Sequence, residues 1–169
     1  MAFRELQRFW WEKIFERDRD EFAFGDTLDV KTGLILVILI FLAGQSAEYL
    51  RSSVTLPERC LQYLSVASLI VGGVYAVLEL WPRKFLKEAK PQEYDNRLEL
   101  LTAYYADEPD TETFALTMAF EERVEAAHKR ISENSANNRK KFKLLNKSFY
   151  FVIFSLAANL TTLVMHLFL

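Results

Sequence analysis

Apolar and charged residues are segregated along this chain into long blocks. Three windows, 32–47, 61–78 and 148–169, contain no Asp, Glu, Lys or Arg. A helix that crosses a bilayer needs about 20 mostly apolar residues, and these windows approach or reach that length. The pattern therefore predicts three transmembrane helices, over about 31–50, 61–81 and 148–169. It excludes a soluble globular domain, in which charged and apolar residues alternate at helical or strand period.

The first of the three windows is the weakest. Gln45, Ser46 and Glu48 interrupt its far end. It crosses fully only if Lys31 extends its ammonium group to the interface at one end and Tyr49 with Leu50 complete the other. The alternative is a buried or re-entrant helix. Since the first window is otherwise almost wholly hydrophobic, we expect it to face lipid. The other two carry more polar residues and are expected to face each other, partner subunits or water.

The chain before the first window predicts an amphipathic helix. Phe3, Leu6, Trp10 and Ile14 recur at helical spacing among charged residues. Aromatic side chains beside charged ones suit the headgroup boundary of a bilayer, so residues 1–30 are interpreted as an interfacial helix. The alternative is a helix packed on the cytoplasmic helices of its own or a neighbouring subunit.

Residues 82–147 form the longest charged region and are also predicted to be helical. A short helix over 93–105 is followed by Pro109, and no Gly or Pro occurs from Thr111 to the end. Because those two residue types are the usual helix breakers, one long helix is expected to continue into the third span. The expected fold class is an all-α membrane protein. It combines an amphipathic N-terminal helix, a transmembrane hairpin over 31–81, a cytoplasmic helical region and the long helix that ends in the third span.

The distribution of positive charge predicts an orientation. Six Lys or Arg residues precede residue 32, two lie in 48–60 and thirteen lie in 82–147. Cytoplasmic flanks carry the excess of positive charge, so the N-terminus and the long loop are expected in the cytoplasm and the C-terminus outside an inner (cytoplasmic) membrane. A net charge of −2 gives no support for nucleic-acid binding, and one cysteine excludes a disulfide scaffold.

The long helix carries a seam of apolar and amide residues. Its members follow one another at steps of three or four: Phe120, Val124, Ala127, Ile131, Asn134, Asn138, Phe142, Leu145 and Phe149. Such spacing predicts helix-on-helix packing within a subunit or between subunits, and asparagines on a seam specify register and oligomer number. A second interpretation stays open, in which Asn134 and Asn138 bind an anionic ligand together with the cations Arg139 and Lys141.

Polar residues form a stripe on the second and on the third predicted span. The stripes consist of Ser65, Ser68, Gly72 and Glu79 on the second span and Ser155, Asn159, Thr162 and His166 on the third. Polar groups in hydrocarbon are costly, so both stripes are expected to face protein or water. They either form interhelical hydrogen bonds that build a homo-oligomer or line a pore. A chain with three spans needs partner copies to enclose a pore.

Residues that carry catalysis are scarce. Two histidines and one cysteine in separate regions supply no zinc set and no Cys–His pair, so no metal is expected. One short pattern, Arg123 followed by His128, matches the Arg-x4-His arrangement of HEPN ribonucleases. Side chains five positions apart on a helix point about 140° away from each other, so we expect a protein that is not an enzyme.

Three short sequence motifs follow one another along the chain. Asp29-Val-Lys31-Thr-Gly-Leu-Ile-Leu opens the first span, Trp81-Pro82 closes the hairpin, and Glu133-Asn-Ser-Ala-Asn137-Asn138-Arg-Lys-Lys141 leads toward the last span. In this order the chain resembles the small transmembrane effectors of prokaryotic anti-phage signalling, of the Pycsar-type and SLATT-type groups. The resemblance implies a cytoplasmic part that senses a cyclic nucleotide or a partner, and spans that then damage or depolarise the membrane.

The leading hypothesis is therefore an oligomeric inner-membrane effector in contact with the lipid bilayer. The resemblance implies no cofactor other than an activating cyclic nucleotide. Two alternatives from other classes stay open. One is a structural or scaffold subunit of a larger membrane complex, and the other is a HEPN-like, RNA-directed effector that uses Arg123 and His128.

Overall fold

Four helices account for nearly all of the chain. The computed structural model describes residues 2–53 and 55–168, with side chains from residue 8 onward. The helices are α1 (Ala2–Ser52), α2 (Leu56–Leu80), α3 (Pro91–Tyr104) and α4 (Thr111–Phe168). Helix makes up 89% of the structure, and the described residues contain no strand. The predicted all-α fold class is confirmed.

Local sequence signals set the helix boundaries. Before α2, the Glu58 carboxylate accepts a hydrogen bond from the backbone N–H of Thr55 at 3.1 Å, which satisfies a donor at the helix start. α3 begins with Pro91, whose missing N–H is harmless in a first turn. α4 begins at Thr111, the position predicted from the last proline of the chain, and its hydroxyl donates to the Glu108 carbonyl at 2.8 Å.

The N-terminal helix and the first span are a single helix. The sequence pattern predicts an interfacial helix over 1–30 and a span that begins at about residue 31, and α1 contains both without a break to Ser52. No proline lies within it, and helix propagation needs no new nucleus once a turn exists. Of the predicted amphipathic face, Phe3 and Leu6 lie outside the described side chains, while Trp10 is exposed and Ile14 is half-buried.

The chain divides into two compact units. The first unit comprises the chain up to Ala23 together with Lys84–Asn137, and the second comprises Phe24–Arg83 together with residues 138 to the end. In the first unit, buried apolar side chains come from α3 and α4, among them Leu101 and Ile131. The first unit therefore has its own small core.

The second unit contains the parts of the chain that can cross a membrane. α1, α2 and α4 are each long and apolar enough for this. Their shared core consists of Leu28, Ile35, Leu39, Leu42, Leu69, Ala76, Leu145 and Val152. Large apolar side chains such as Ile40, Ile70 and Leu160 are exposed on the outer surface, as expected for lipid contact. The first span does not face lipid alone, since Leu28, Ile35 and its other core residues pack inward.

Buried positions recur at alternating steps of three and four residues on each spanning helix. On α4 the series is Ala127, Ile131, Asn134, Asn138, Lys141, Leu145, Ser148, Val152, Ser155, Asn159 and Thr162. Within the chain, the asparagines of the predicted seam and Leu145 are buried, whereas Phe142 and Phe149 are 46% and 49% exposed. After the four-residue step to Asn138, heptad packing requires a step of three, and that step selects Lys141.

Candidate functional site

Polar side chains from all three spans meet in the interior of the second unit. The Ser46 hydroxyl of α1 donates to Asn159 Oδ1 of α4 at 3.0 Å, and the Ser46 and Ser65 hydroxyls are also 3.0 Å apart. Ser65 lies on α2, so one small cluster joins the three helices. Each of these residues is at most 3% exposed.

The cluster extends along α2 and α4 in both directions. The Ser65 and Ser155 hydroxyls are 2.6 Å apart, and Gln62 Nε2 donates to Thr162 Oγ1 at 2.7 Å. We call the whole set the polar ladder; its members are Ser46, Gln62, Ser65, Ser155, Asn159 and Thr162. Because hydrocarbon offers no competing water, these bonds fix which helix faces meet.

The polar ladder has unused hydrogen-bonding capacity. Gln62 Oε1 and Asn159 Nδ2 have no hydrogen-bond partner among the described residues. Interhelical hydrogen bonds in membranes contribute about 0.6 kcal/mol on average, whereas a buried polar atom without a partner is costly. The ladder is therefore a specific but only moderately stable contact, and it has an acceptor and a donor to spare for water or an ion.

Close helix approach accompanies the ladder. The Ser148 hydroxyl of α4 donates to the backbone carbonyl of Gly72 on α2 at 2.9 Å. A Cβ atom at position 72 would lie 3.1 Å from the Phe151 Cβ and 3.3 Å from Leu39 Cδ2. A larger residue here would need Phe151 or Leu39 to move by a few tenths of an ångström, and small residues of this kind are typical of membrane helix interfaces.

A charged cluster lies at the other end of the spans in the second unit. Lys141 Nζ of α4 donates to Asp29 Oδ1 of α1. Glu79 of α2 is fully buried near this pair and near Arg83. Neither Glu79 carboxylate oxygen accepts a hydrogen bond from a described residue, and the neighbouring Thr32 hydroxyl donates to the Leu28 carbonyl instead. Lys141 thus lies near two carboxylates and is bonded to the one on α1.

The predicted polar stripes are brought together only in part. Ser65, Ser155, Asn159 and Thr162 share the ladder, whereas Ser68 donates to the Leu64 carbonyl of its own helix at 2.9 Å. His166 is largely exposed, and its Nδ1 lies 3.8 Å from the Glu58 carboxylate.

Sequence reasoning missed Ser46 and Gln62 as members of the ladder. The missed signal was the heptad step. Ser46 follows the core positions Leu39 and Leu42 at steps of three and four, and Gln62 precedes Ser65 by three.

The seam asparagines have internal partners. In the first unit Asn134 faces Leu86 and both donates to and accepts from its backbone, with Leu86 N–H to Oδ1 at 3.0 Å and Nδ2 to the Leu86 carbonyl at 3.1 Å. Asn137 donates to the Lys84 carbonyl at 3.0 Å. These amides hold the non-helical segment after α2 against α4. In the second unit, Asn138 is buried and Arg139 is exposed.

The Arg123 and His128 side chains are not brought together. The Arg123 guanidinium lies over the Phe15 and Tyr94 rings, 4.6 and 4.7 Å from their centroids, and its Nη2 donates to Glu88 at 2.7 Å. His128 is exposed. Arg123 is thus part of a packed interaction in the first unit.

Ion pairs also join α3 to α4 in the first unit. Arg97 donates from Nε and Nη2 to the two Glu122 carboxylate oxygens at 2.8 and 2.7 Å. This two-pronged hydrogen bond lowers the pKa of Glu122 from its ordinary value and raises the pKa of Arg97. Both side chains are at least 40% exposed, so the pair contributes little to stability.

The spans and their polar ladder define a multi-pass helical membrane protein. A family model described as the Pycsar effector protein domain matches residues 13–168. The chain therefore belongs to the Pycsar effector family and is a membrane effector of anti-phage defence. The Pycsar-type resemblance of the sequence motifs is thereby confirmed. No curated protein and no solved structure matches the chain.

Proposed function

We propose that the chain is an oligomeric inner-membrane effector that permeabilises or depolarises the membrane in response to infection. Membership of the family supports the defence role, and the three apolar helices support action in the bilayer. The observation that carries the proposal is the polar ladder, with Ser46, Ser65 and Asn159 at the junction of the spans. Polar groups are costly in hydrocarbon unless they bond to one another or to water, so the cluster keeps polar groups available where the three spans meet.

The ladder supports permeation because its groups are uncharged and exchangeable. In the resting arrangement the hydroxyls and amides bond to one another. If the spans separate, the same groups would solvate water and ions, and the spare Gln62 and Asn159 atoms would be the first to do so. Several copies of the chain are then needed to enclose the path, so we expect a homo-oligomer.

The charged cluster supports a way to move the spans. Lys141 is bonded to Asp29 on α1, while Glu79 on α2 has two unbonded oxygens nearby. A shift of α4 that exchanges Asp29 for Glu79 would keep the lysine charge compensated throughout, which avoids the large cost of a buried unpaired charge. We propose that this exchange accompanies activation.

The first unit is the proposed receiver of the signal. The excess of Lys and Arg in 82–147 favours a cytoplasmic position for this region, where a cyclic nucleotide or a partner would be encountered. α1 and α4 contribute residues to both units. A ligand that shifts these helices in the first unit would therefore act on the spans.

Membrane potential in expressing cells tests the proposal. We expect depolarisation, reported by a potential-sensitive dye, when the chain is expressed with a source of 3′,5′-cyclic nucleotides. Asn159→Leu removes the central amide and is expected to alter conductance while the oligomer stays intact. Thr161→Val is the matched control, since the Thr161 hydroxyl is exposed and bonds only to the Ala157 carbonyl of its own turn.

Two results would contradict the proposal. Absence of depolarisation and growth arrest under every signal would favour the scaffold alternative. Unchanged conductance of Asn159→Leu in an intact oligomer would remove the polar ladder from the permeation path.

A further inference from the structure

α2 and α4 run antiparallel in the second unit, and their contacts determine which turns lie side by side. The Ser65 hydroxyl of α2 is bonded to Ser155 of α4, and the Gly72 carbonyl accepts a hydrogen bond from Ser148. The residue number on α4 thus falls as the number on α2 rises. The turns of α2 that follow Gly72 therefore lie beside the turns of α4 that precede Ser148.

These two neighbouring stretches differ in polarity. The end of α2 exposes apolar side chains such as Leu78 and is followed by Trp81, which is 66% exposed. Because tryptophan is enriched where a membrane meets water, these turns reach the headgroup boundary. The neighbouring turns of α4 expose Lys140, Lys143 and Lys147, which share one face of the helix through their steps of three and four. Exposed cations and exposed apolar side chains thus lie side by side at the depth of lipid headgroups.

Lys147 is held at the junction of α2 and α4 by an aromatic pair. Its ammonium group lies over the Tyr75 ring of α2, 5.1 Å from the ring centroid. The Tyr75 ring in turn stacks on Phe151 of α4, with the two centroids 5.9 Å apart. The ring face attracts a cation but leaves its formal charge in place. Lys147 is therefore oriented before a ligand binds, which lowers the side-chain entropy that binding costs.

No carboxylate of the described residues pairs with these three lysines. Residues 134–169 contain no Asp or Glu, and Lys140, Lys143 and Lys147 form no ion pair within the described part of the chain. Lys141, by contrast, is buried and already bonded to Asp29. Three unpaired cations on one helix face favour an anionic ligand.

We propose that Lys140, Lys143 and Lys147 bind the phosphate of an anionic phospholipid whose acyl chain lies along the apolar end of α2. Such a lipid fits both surfaces at once, because it joins a phosphate to an acyl chain at this depth of the bilayer. Basic residues beside the end of a span attract anionic headgroups, and the apolar stem of a lysine can lie along apolar surface while its ammonium group reaches them. The site does not depend on whether the spans conduct ions.

Competition between two lipids tests this site. The full chain in detergent is incubated with equal amounts of phosphatidylglycerol and phosphatidylcholine, and the bound lipids are counted by native mass spectrometry. We expect phosphatidylglycerol to be retained preferentially, because the choline group offsets the phosphate charge of the other lipid. Lys147→Gln should reduce the preference about 5-fold, which corresponds to about 1 kcal/mol per lysine near an anionic surface. Lys147→Arg should keep the preference, since it keeps the charge.

Lys129→Gln is the matched control, because Lys129 is exposed on the same helix but lies in the first unit; its lipid preference should equal that of the wild type. Equal retention of both lipids by the wild type, or an unchanged preference in Lys147→Gln, would overturn the proposal. An equal loss in Lys129→Gln would overturn it as well, since net charge alone would then explain the preference. Displacement of the lipid by inorganic phosphate at constant ionic strength would show that the acyl chain is not recognised, which also contradicts the proposal.

Discussion

The two units differ in where their polar side chains lie and in how they bond. In the second unit, uncharged side chains such as Ser65 and Asn159 bond across three helices in the interior. In the first unit, charged pairs such as Arg97 with Glu122 join helices at the surface. The difference follows the expected surroundings: a charge in hydrocarbon is costly, whereas water screens an exposed pair and leaves it nearly neutral in energy. In the second unit the polar groups determine which helix faces pack together, whereas in the first unit they orient α3 relative to α4.

Two ion pairs depart from this division: Lys141 with Asp29 in the second unit and a buried pair in the first unit. Asp18 and Arg130 have side chains that are 12% and 6% exposed and are joined at 2.8 Å. Asp18→Asn leaves the arginine charge buried without a counter-charge, so we expect a loss of about 3–5 kcal/mol in the free energy of unfolding. Denaturant titration followed by tryptophan fluorescence measures this loss.

An exposed ion pair on α1, the helix that carries Asp18, is the control for that prediction. Arg8 and Glu12 are joined at 3.3 Å with side chains 83% and 67% exposed, so Glu12→Gln should cost no more than about 1 kcal/mol. Equal effects of the two substitutions would mean that burial does not distinguish these pairs, and the comparison between exposed and buried charges would fail.

Two adjacent glycines on α2 provide a test of how closely α2 and α4 approach in the second unit. Gly72→Ala places a Cβ 3.1 Å from the Phe151 Cβ, and overpacking of this kind costs about 1–3 kcal/mol. A Cβ on Gly73 would meet nothing within 4 Å, so Gly73→Ala should be neutral or stabilise the helix by about 0.5–1 kcal/mol. Thermal unfolding in detergent compares the two. Similar midpoints for both variants would show that α2 and α4 do not approach as closely as described.

The smallest expected effect concerns the surface pair of Arg97 and Glu122. Because the pKa of Glu122 is lowered by Arg97, the pair stabilises the fold above the ordinary glutamate pKa of about 4.5. That stability is lost as the pH falls through the lowered value. The difference in unfolding midpoint between the wild type and Glu122→Gln should be full at pH 7 and shrink as the pH falls through the lowered pKa of Glu122. Glu121→Gln, an exposed neighbour, is the control, and a difference that grows on acidification would contradict the assignment.

The sequence predicted the elements well because their signals are local. The start of α4 at Thr111 follows from the last proline, and the three spans follow from the absence of charge. The amide at Asn159 was singled out because a polar side chain in an apolar window has few explanations, and in the structure it accepts a hydrogen bond from Ser46. Each of these predictions depends only on a residue and its immediate neighbours in the sequence.

The partners of the candidate residues were not predictable in the same way. The sequence offers Lys141 as a cation for an anionic ligand, yet it is buried and bonded to Asp29, which lies 112 positions earlier. Asn134 looked like a seam or ligand residue, and its partner is a backbone segment with no distinctive sequence. Contacts between residues far apart in the sequence depend on how the helices pack, and the spacing of neighbouring residues does not determine that packing.

The bond between Asn134 and Leu86 has a consequence for how this chain tolerates variation. Asn134 supplies one donor and one acceptor to the backbone, so it takes the place of a neighbouring strand. The side chain of residue 86 is not involved in either bond, so proline, which lacks the N–H, is the substitution that these bonds exclude there. At position 134 the reverse holds, since Asp lacks the donor and Leu lacks both groups. Among natural variants, the amino acid at position 86 should therefore vary more than the asparagine at position 134.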